Sequence, residues 1–377
     1  MQLLGQCKYP IHAIHETLNT PFEAPVTPFH TPSRHPKANM SIQGSTHLAT
    51  SDGCSILLVG GAYLDVILHV SAYPAEDSKL RADAVEHRSG GNSFNSALVL
   101  SQLLQGGPHR PTGSKQRCGI ITAVGGQSPQ VDTTLVAAAN AHSIAWIPIT
   151  HSSLAHPTAW IVSSRSTTSR TIINHNVLPQ LTPADVLPHV RHHSPSWVHF
   201  EGRTNTDDIA VMMREIKAQL PSCTLSLELE RPNREGLDGL IPLADVLFVS
   251  KEFSAAFGRE QRVGEQGLVE TSIAWVRKWM LPRCKSTATI LLALGSQGAA
   301  AMLAADPANP YHAPALAVTA VDTIGAGDSF NAGAMYAMSS FPGIALDRVL
   351  AIAVAVAGTK VAQDGFEGLQ FPDSAFA

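Results

Sequence analysis

The chain has 377 residues, of which 44% are hydrophobic and 15% charged, enough apolar sequence for one large α/β domain or two smaller ones. A formal net charge of -4 without a concentrated basic patch argues against a nucleic-acid partner, and no apolar run approaches the roughly 20 residues that a membrane-spanning helix needs. Five cysteines (Cys7, Cys54, Cys118, Cys223, Cys284) lack CxxC spacing, which favours free thiols in a reducing compartment over disulfides or a zinc site.

Residues 1–53 are expected to form a disordered tail. Pro, His, Thr and Ser dominate from Tyr9 to Ser51 with neither helical nor alternating periodicity. Few acids and several His and Lys leave an organelle-targeting segment as the alternative. No compact apolar segment sits beside a cleavage site, so a cytoplasmic protein is expected. The folded domain is expected over 54–377. It opens with Ser55-Ile56-Leu57-Leu58-Val59-Gly60-Gly61, an apolar run ending in glycines, the pattern of a buried parallel strand. Segments of about 69–88 and 158–175 alternate apolar and polar residues. Between them, Gly106 to Gln116 is rich in Gly, Pro and basic residues and predicts a surface loop.

Further buried strands are predicted at Gly119 to Val124, Trp197 to Phe200, Thr224 to Leu229, Val246 to Val249 and Thr289 to Leu294. Amphipathic helices fall between most of them, among them Thr206 to Leu220 and Glu270 to Met280. Strands alternating with helices imply a mainly parallel sheet covered on both faces, with ligands at the carboxyl ends of its strands. The 17 histidines show no ligand spacing, and His192-His193 suits a solvated loop.

The most informative stretch is Asp322-Thr323-Ile324-Gly325-Ala326-Gly327-Asp328-Ser329-Phe330-Asn331-Ala332-Gly333, a glycine turn opening a helix. Unpaired N–H groups in a first helical turn, with the positive end of the helix dipole behind them, suit an anion such as phosphate. A carboxylate is the wrong group for binding phosphate directly. Asp328 therefore suggests a base that takes a proton from a hydroxyl while Gly325, Ala326 and Gly327 hold phosphoryl oxygens. An ordinary helix N-cap with a glycine hinge is the alternative. Upstream, Asp65 follows the first predicted strand, and Asn92 and Asn95 share one face of a helix that begins after Gly91. These side chains can either exchange hydrogen bonds with vicinal hydroxyls or cap a turn and a helix.

The Asp322–Asp328 segment resembles the D-T-x-G-A-G-D signature of the ribokinase-like (PfkB) sugar kinases. Gly90-Gly91-Asn92-Ser93-Phe94-Asn95-Ser96-Ala97 resembles that family's amino-terminal G-G-x-x-x-N-x-A signature. Within the family, Tyr73 to Ser78, His199 to Arg203, Phe248 to Lys251 and Asp364 to Gly368 are most similar to the ketohexokinase branch, and the likeness runs over about 55–371.

The resemblance implies a three-layer α/β sandwich with a mainly parallel central sheet and a small β lid formed by the two alternating segments, a lid that often joins homodimers. It implies ATP as phosphoryl donor with Mg2+, and a K+ site near Asp322. The acceptor would be a sugar, with fructose giving fructose 1-phosphate as the leading case and ribose, adenosine or another sugar as alternatives. Asp65, Gly91, Asn92, Asn95 and Asp328 would bind the sugar. Arg170 would reach the transferred phosphate, and Gly295-Ser296-Gln297-Gly298 would lie beside the nucleotide. Glu228 and Glu230 would hold hydrated magnesium, or form surface ion pairs. The N-x-x-E motif of many members is absent, since Ser250-Lys251-Glu252-Phe253 stands in its place. A catalytically silent sensor is the competing class. A dinucleotide-dependent oxidoreductase would need GxGxxG after the first strand, where Gly60-Gly61-Ala62-Tyr63-Leu64-Asp65 lacks it.

Overall fold

The structure is a computed structural model that describes residues 53–107, 115–126, 128, 130–167, 169–257 and 267–371. The expected tail lies outside the described residues up to position 52, as do 108–114 of the expected surface loop.

In chain order the elements begin with β1 (Ile56–Val59), β2 (Tyr63–Val70), β3 (Ala84–Gly90), α1 (Asn92–Gly106) and β4 (Cys118–Gly125). A short α2 (Ala137–Ala141) leads to β5 (Ala145–His151), β6 (Thr158–Ser164) and β7 (Arg170–His175). The alternating part continues through α3 (Pro183–His193), β8 (Trp197–Glu201), α4 (Thr206–Gln219) and β9 (Thr224–Leu229). It ends with β10 (Val246–Ser250), α5 (Lys251–Phe257), α6 (Leu268–Trp275) and β11 (Thr289–Ala293). A hairpin of β12 (Ala299–Leu303) and β13 (Asp306–Ala313) precedes α7 (Ala326–Ser340) and α8 (Leu346–Val361).

Nine strands form one sheet in the order β13-β12-β11-β10-β9-β8-β1-β4-β5. Pairing is parallel from β11 across to β5, and only the β12–β13 hairpin runs antiparallel at one edge. Alternation along β1 shows why its unbroken apolar run is needed. Ile56 and Leu58 enter a core with Phe94, Leu98, Met335 and Tyr336 of α1 and α7, while Leu57 and Val59 enter the opposite core with Val186, Met212 and Met213 of α3 and α4. Each such buried side chain contributes about 1.5–3 kcal/mol relative to exposure.

A second, four-stranded sheet has the order β3-β2-β6-β7. It takes in more chain than the alternation suggests, because β2 starts at Tyr63 and so carries Asp65 within it. Its inner face buries Ile67, Ala159 and Ile161 against Ile324. Its outer face leaves Val85, Trp160 and Ile173 exposed, with Trp160 and Ile173 register partners.

The buried strands and most helices fall where periodicity puts them, with two kinds of difference. The helix expected over 270–280 starts at Leu268 and beyond Trp275 continues as a wider-turn segment to Met280. The β12–β13 hairpin carries little strand signal of its own. Ala299-Ala300-Ala301 favours helix in isolation and is made a strand by pairing with β11, and Pro307 and Pro310 are tolerated because β13 is an edge. Among the described residues no helix is long and apolar enough to cross a membrane, and Cys54, Cys118, Cys223 and Cys284 are free thiols.

Candidate active site

The turn before α7 is built from charge. Gly325 has φ 72°, a left-handed conformation, and a Cβ there would run into the Phe366 ring, so the chain can enter α7 this way only as glycine. Asp322 Oδ1 accepts from the Ile324 N–H at 2.9 Å. Its Oδ2 accepts from Lys360 Nζ at 2.9 Å, Arg88 Nη1 at 3.0 Å and the Gly365 N–H at 3.2 Å. Burial alone would raise the Asp322 acid, but these donors, Lys360 foremost, hold it below its ordinary value. Lys360 is completely buried and lies 4.9 Å from the centre of the Phe366 ring. The small sheet grips the same turn. Arg88 comes from β3, Ile324 packs on the sheet's inner face, and Arg170 of β7 donates to Thr323 Oγ1.

Six residues later, Asp328 is buried and forms no ion pair among the described residues. Asn95 Nδ2 donates to its Oδ2 at 2.8 Å, and Ser96 Oγ donates to its backbone carbonyl at 3.1 Å. Burial pushes the Asp328 acid up to about 7. The Asn95 hydrogen bond opposes the rise, and the charges of Glu230, Glu201 and Asp65 add to it. Ala326, Gly327 and Asp328 form the first turn of α7, whose N–H groups have no intrahelical acceptor; that of Ala326 makes a long 3.4 Å bond to the Thr323 carbonyl. Beside Gly327 a Cβ would meet nothing within 4 Å, which leaves open space at that end of the helix.

Helix α1 brings the second signature to this point. Gly91, with φ 95°, approaches the main chain so closely that a Cβ would lie 2.5 Å from the Gly61 carbonyl. One helical turn places Asn92 and Asn95 on the same side. Asn95 meets Asp328, while Asn92 Nδ2 donates to Glu228 Oε2 at 3.4 Å. Asn331, one turn beyond Asp328 on α7, donates to the other oxygen, Glu228 Oε1, at 3.0 Å. Burial, with the nearby Asp328 charge, raises the Glu228 acid well above its ordinary value. Asn95 Oδ1 is buried and has no partner, an acceptor left unmet inside the site. Asp65 lies against Gly90, next to this cluster, and burial raises its acid to about 7 against the opposing charge of Arg88.

The remaining expected residues make no hydrogen bond to Asp328, Asn92 or Asn95, although the Glu230 charge acts on both Asp328 and Glu228. Glu230 is paired with Arg234 and Arg231, each at 3.3 Å. Gly295 to Gln297 form a tight turn leading to Gly298 at the carboxyl end of β11, and make no hydrogen bond to Asp328, Asn92 or Asn95.

Two groups escaped the sequence reading. Glu201 ends β8 buried, accepting from the Gly61 N–H at 2.9 Å and pairing with Arg203 at 3.0 Å; burial would raise this acid, but Arg203 and Arg234 hold it low. Lys360 is the other, and a single lysine within the apolar sequence of α8 was the signal that could have found it.

A family profile described as pfkB family carbohydrate kinase matches residues 55–369. Mouse (Mus musculus) ketohexokinase is 31% identical over 323 residues, covering 83% of this chain and 98% of that protein. Among solved structures, ribokinase from Giardia lamblia superposes with a TM-score of 0.68 at 18% identity, over 86% of this chain and 98% of its own. Arabidopsis thaliana ribokinase complexed with ribose and ATP superposes with a TM-score of 0.63 at 18% identity, over 86% and 97%. The fold is therefore the ribokinase-like α/β sandwich.

Proposed function

The chain belongs to the pfkB family of carbohydrate kinases and is a sugar phosphotransferase, and we propose that it transfers the γ-phosphoryl group of ATP to fructose, giving fructose 1-phosphate. The ketohexose assignment rests on the 31% identity to a ketohexokinase over nearly all of that protein. ATP as donor is supported by family membership and by the ATP bound to the Arabidopsis ribokinase.

The observation that carries the chemistry is Asp328, a buried carboxylate held at 2.8 Å by Asn95 in the first turn of α7. In the proposed reaction the acceptor hydroxyl gives its proton to Asp328 as its oxygen bonds to the γ-phosphorus and the bond to the ADP oxygen breaks. The N–H groups of Gly325, Ala326 and Gly327 would face the charge that develops on the phosphoryl oxygens, and the open space beside Gly327 suits an anion there. The unmet Asn95 Oδ1 suits a sugar hydroxyl as donor, and Asp65, Gly91 and Asn92 would complete the acceptor site. Arg170, already at the turn through Thr323, would lie over the phosphates, with Gly295, Ser296, Gln297 and Gly298 along the nucleotide.

Among the described residues no group of three or more His, Cys, Asp or Glu is arranged to hold a metal ion. On the family reading magnesium would be held mainly by the phosphates whose charge it shares, with Glu230, of the two expected carboxylates, reaching its waters. Potassium near Asp322 would have to share that carboxylate with Lys360 and Arg88. The exposed Val85, Trp160 and Ile173 support a homodimer formed through the outer face of the lid, to be tested by sedimentation.

A panel of fructose, ribose, adenosine and other sugars with ATP, followed by ADP release and by the position of phosphate in the product, tests the acceptor. Ribose belongs in it because ribokinases share the fold, and fold does not choose the substrate. Turnover confined to another acceptor overturns the fructose assignment. No turnover with any of them points to a silent sensor.

A further inference from the structure

Glu228 stands where three elements meet. It lies on β9, one residue before the strand's carboxyl end, and is the register partner of Glu201 on β8. Each of its carboxyl oxygens accepts from an amide: Oε1 from Asn331 of α7 at 3.0 Å and Oε2 from Asn92 of α1 at 3.4 Å. A carboxylate that serves as a metal ligand offers an oxygen lone pair to the ion. Glu228 has instead turned both oxygens toward side chains of the two helices that carry the signatures, and it is only 7% exposed.

The consequence falls on Asn92. An Asn side chain has a donor end and an acceptor end, and whichever is fixed decides what the other presents. With its NH2 drawn to Glu228, Asn92 must present Oδ1 away from the strand. Asn331 pins the same carboxyl group from the other side, so the orientation of an α1 amide is locked to α7, the helix that carries Asp328.

We propose that Glu228 is a positioning residue for the acceptor and not a magnesium ligand: it bridges Asn92 and Asn331, and thereby holds the Asn92 carbonyl toward a sugar O–H donor. This rests on the reading of Asn92 as part of the sugar site. Replacing Glu228 by Gln keeps the shape but leaves one acceptor and one NH2. One of the two asparagines must then rotate, and a rotated Asn92 would present its NH2 to the sugar.

The test compares Glu228→Gln, Asn92→Ala and the unaltered enzyme, using fructose and singly deoxygenated fructose analogues at saturating ATP, with a separate Mg2+ titration. Glu228→Gln is expected to raise the fructose KM about tenfold, what the loss of one hydrogen bond is worth, with kcat changed less than about threefold. The Mg2+ concentration for half-maximal rate should not move. The analogue that makes Asn92→Ala silent should make Glu228→Gln silent too, which a general loss of structure would not do.

A raised Mg2+ requirement with an unchanged fructose KM overturns the inference and makes Glu228 a metal ligand. If Asn92→Ala raises KM and Glu228→Gln does not, only the positioning role fails. An unchanged KM in Asn92→Ala means that the sugar-site reading itself has failed. Should Glu228→Gln not fold, Asn331→Ala removes one of the two donors and is expected to raise KM in the same direction by a smaller factor. No rise there overturns the inference as well.

Discussion

Asp322 and Asp328 are six residues apart in one turn-and-helix segment, and the structure treats them in opposite ways. Asp322 is surrounded by donors that carry charge, Lys360 and Arg88, and is held ionised. Asp328 is buried, receives one neutral amide from Asn95 and feels the negative charges of Glu230, Glu201 and Asp65, so its acid rises to about 7. Paired charge at Asp322 holds a turn in place, whereas unpaired charge at Asp328 leaves a carboxylate ready to take up a proton near neutral pH.

The strongest way to break this contrast is to remove each charge in turn. Asp328→Asn is expected to lower kcat about 10²–10⁴-fold, the usual worth of a positioned base, while ATP affinity measured by calorimetry stays largely unchanged. Equal turnover in that variant would end the base assignment.

Next in size is Lys360→Met. Removing the buried Lys360 from its ion pair leaves Asp322 with Arg88 to compensate its charge, so a loss of up to about 3–5 kcal/mol is expected in urea unfolding. A loss below about 1 kcal/mol would show that Arg88 alone suffices.

Replacing Asn92 and Asn95 together by Ala should raise the sugar KM by about one to two orders of magnitude, since two hydrogen-bonding amides are lost. An unchanged KM in steady-state kinetics would place the acceptor elsewhere.

The smallest effects are in pH dependence, where the two acids should behave oppositely. The Asp328 acid is raised in the folded protein, so folding disfavours its ionised form. Its unfavourable contribution to stability grows as pH rises from about 3.8 to about 7. The Asp322 acid is lowered, so its contribution is fully present above the ordinary carboxylate value and is lost as pH falls through the lower folded one. Unfolding midpoints of Asp322→Asn should therefore fall below those of the unaltered protein at neutral pH and converge with them in acid. Catalysis should follow Asp328, with kcat/KM rising through pH 7 and levelling above it. Asn95→Ala should move that limb upward, because the lost hydrogen bond favours the charged form. A limb that stays in place would detach the profile from Asp328.

Much of this molecule could be read from local pattern. Apolar runs marked β1, β4, β10 and β11, and apolar residues interrupted by His199, Ser226 and Glu228 marked β8 and β9, because a strand covered on both faces needs apolar side chains in both directions. The glycine turn and the paired asparagines announced α7 and α1, since backbone conformation and helical spacing are properties of a few consecutive residues. Only tertiary structure decided what those residues face. The bonds from Asn95 to Asp328, Asn92 to Glu228 and Asn331 to Glu228 join positions 233, 136 and 103 residues apart, and Lys360 reaches Asp322 across 38. Such meetings depend on how crossovers stack helices over strands. Periodicity reports which side of an element is buried, and carries no record of the side chain waiting there.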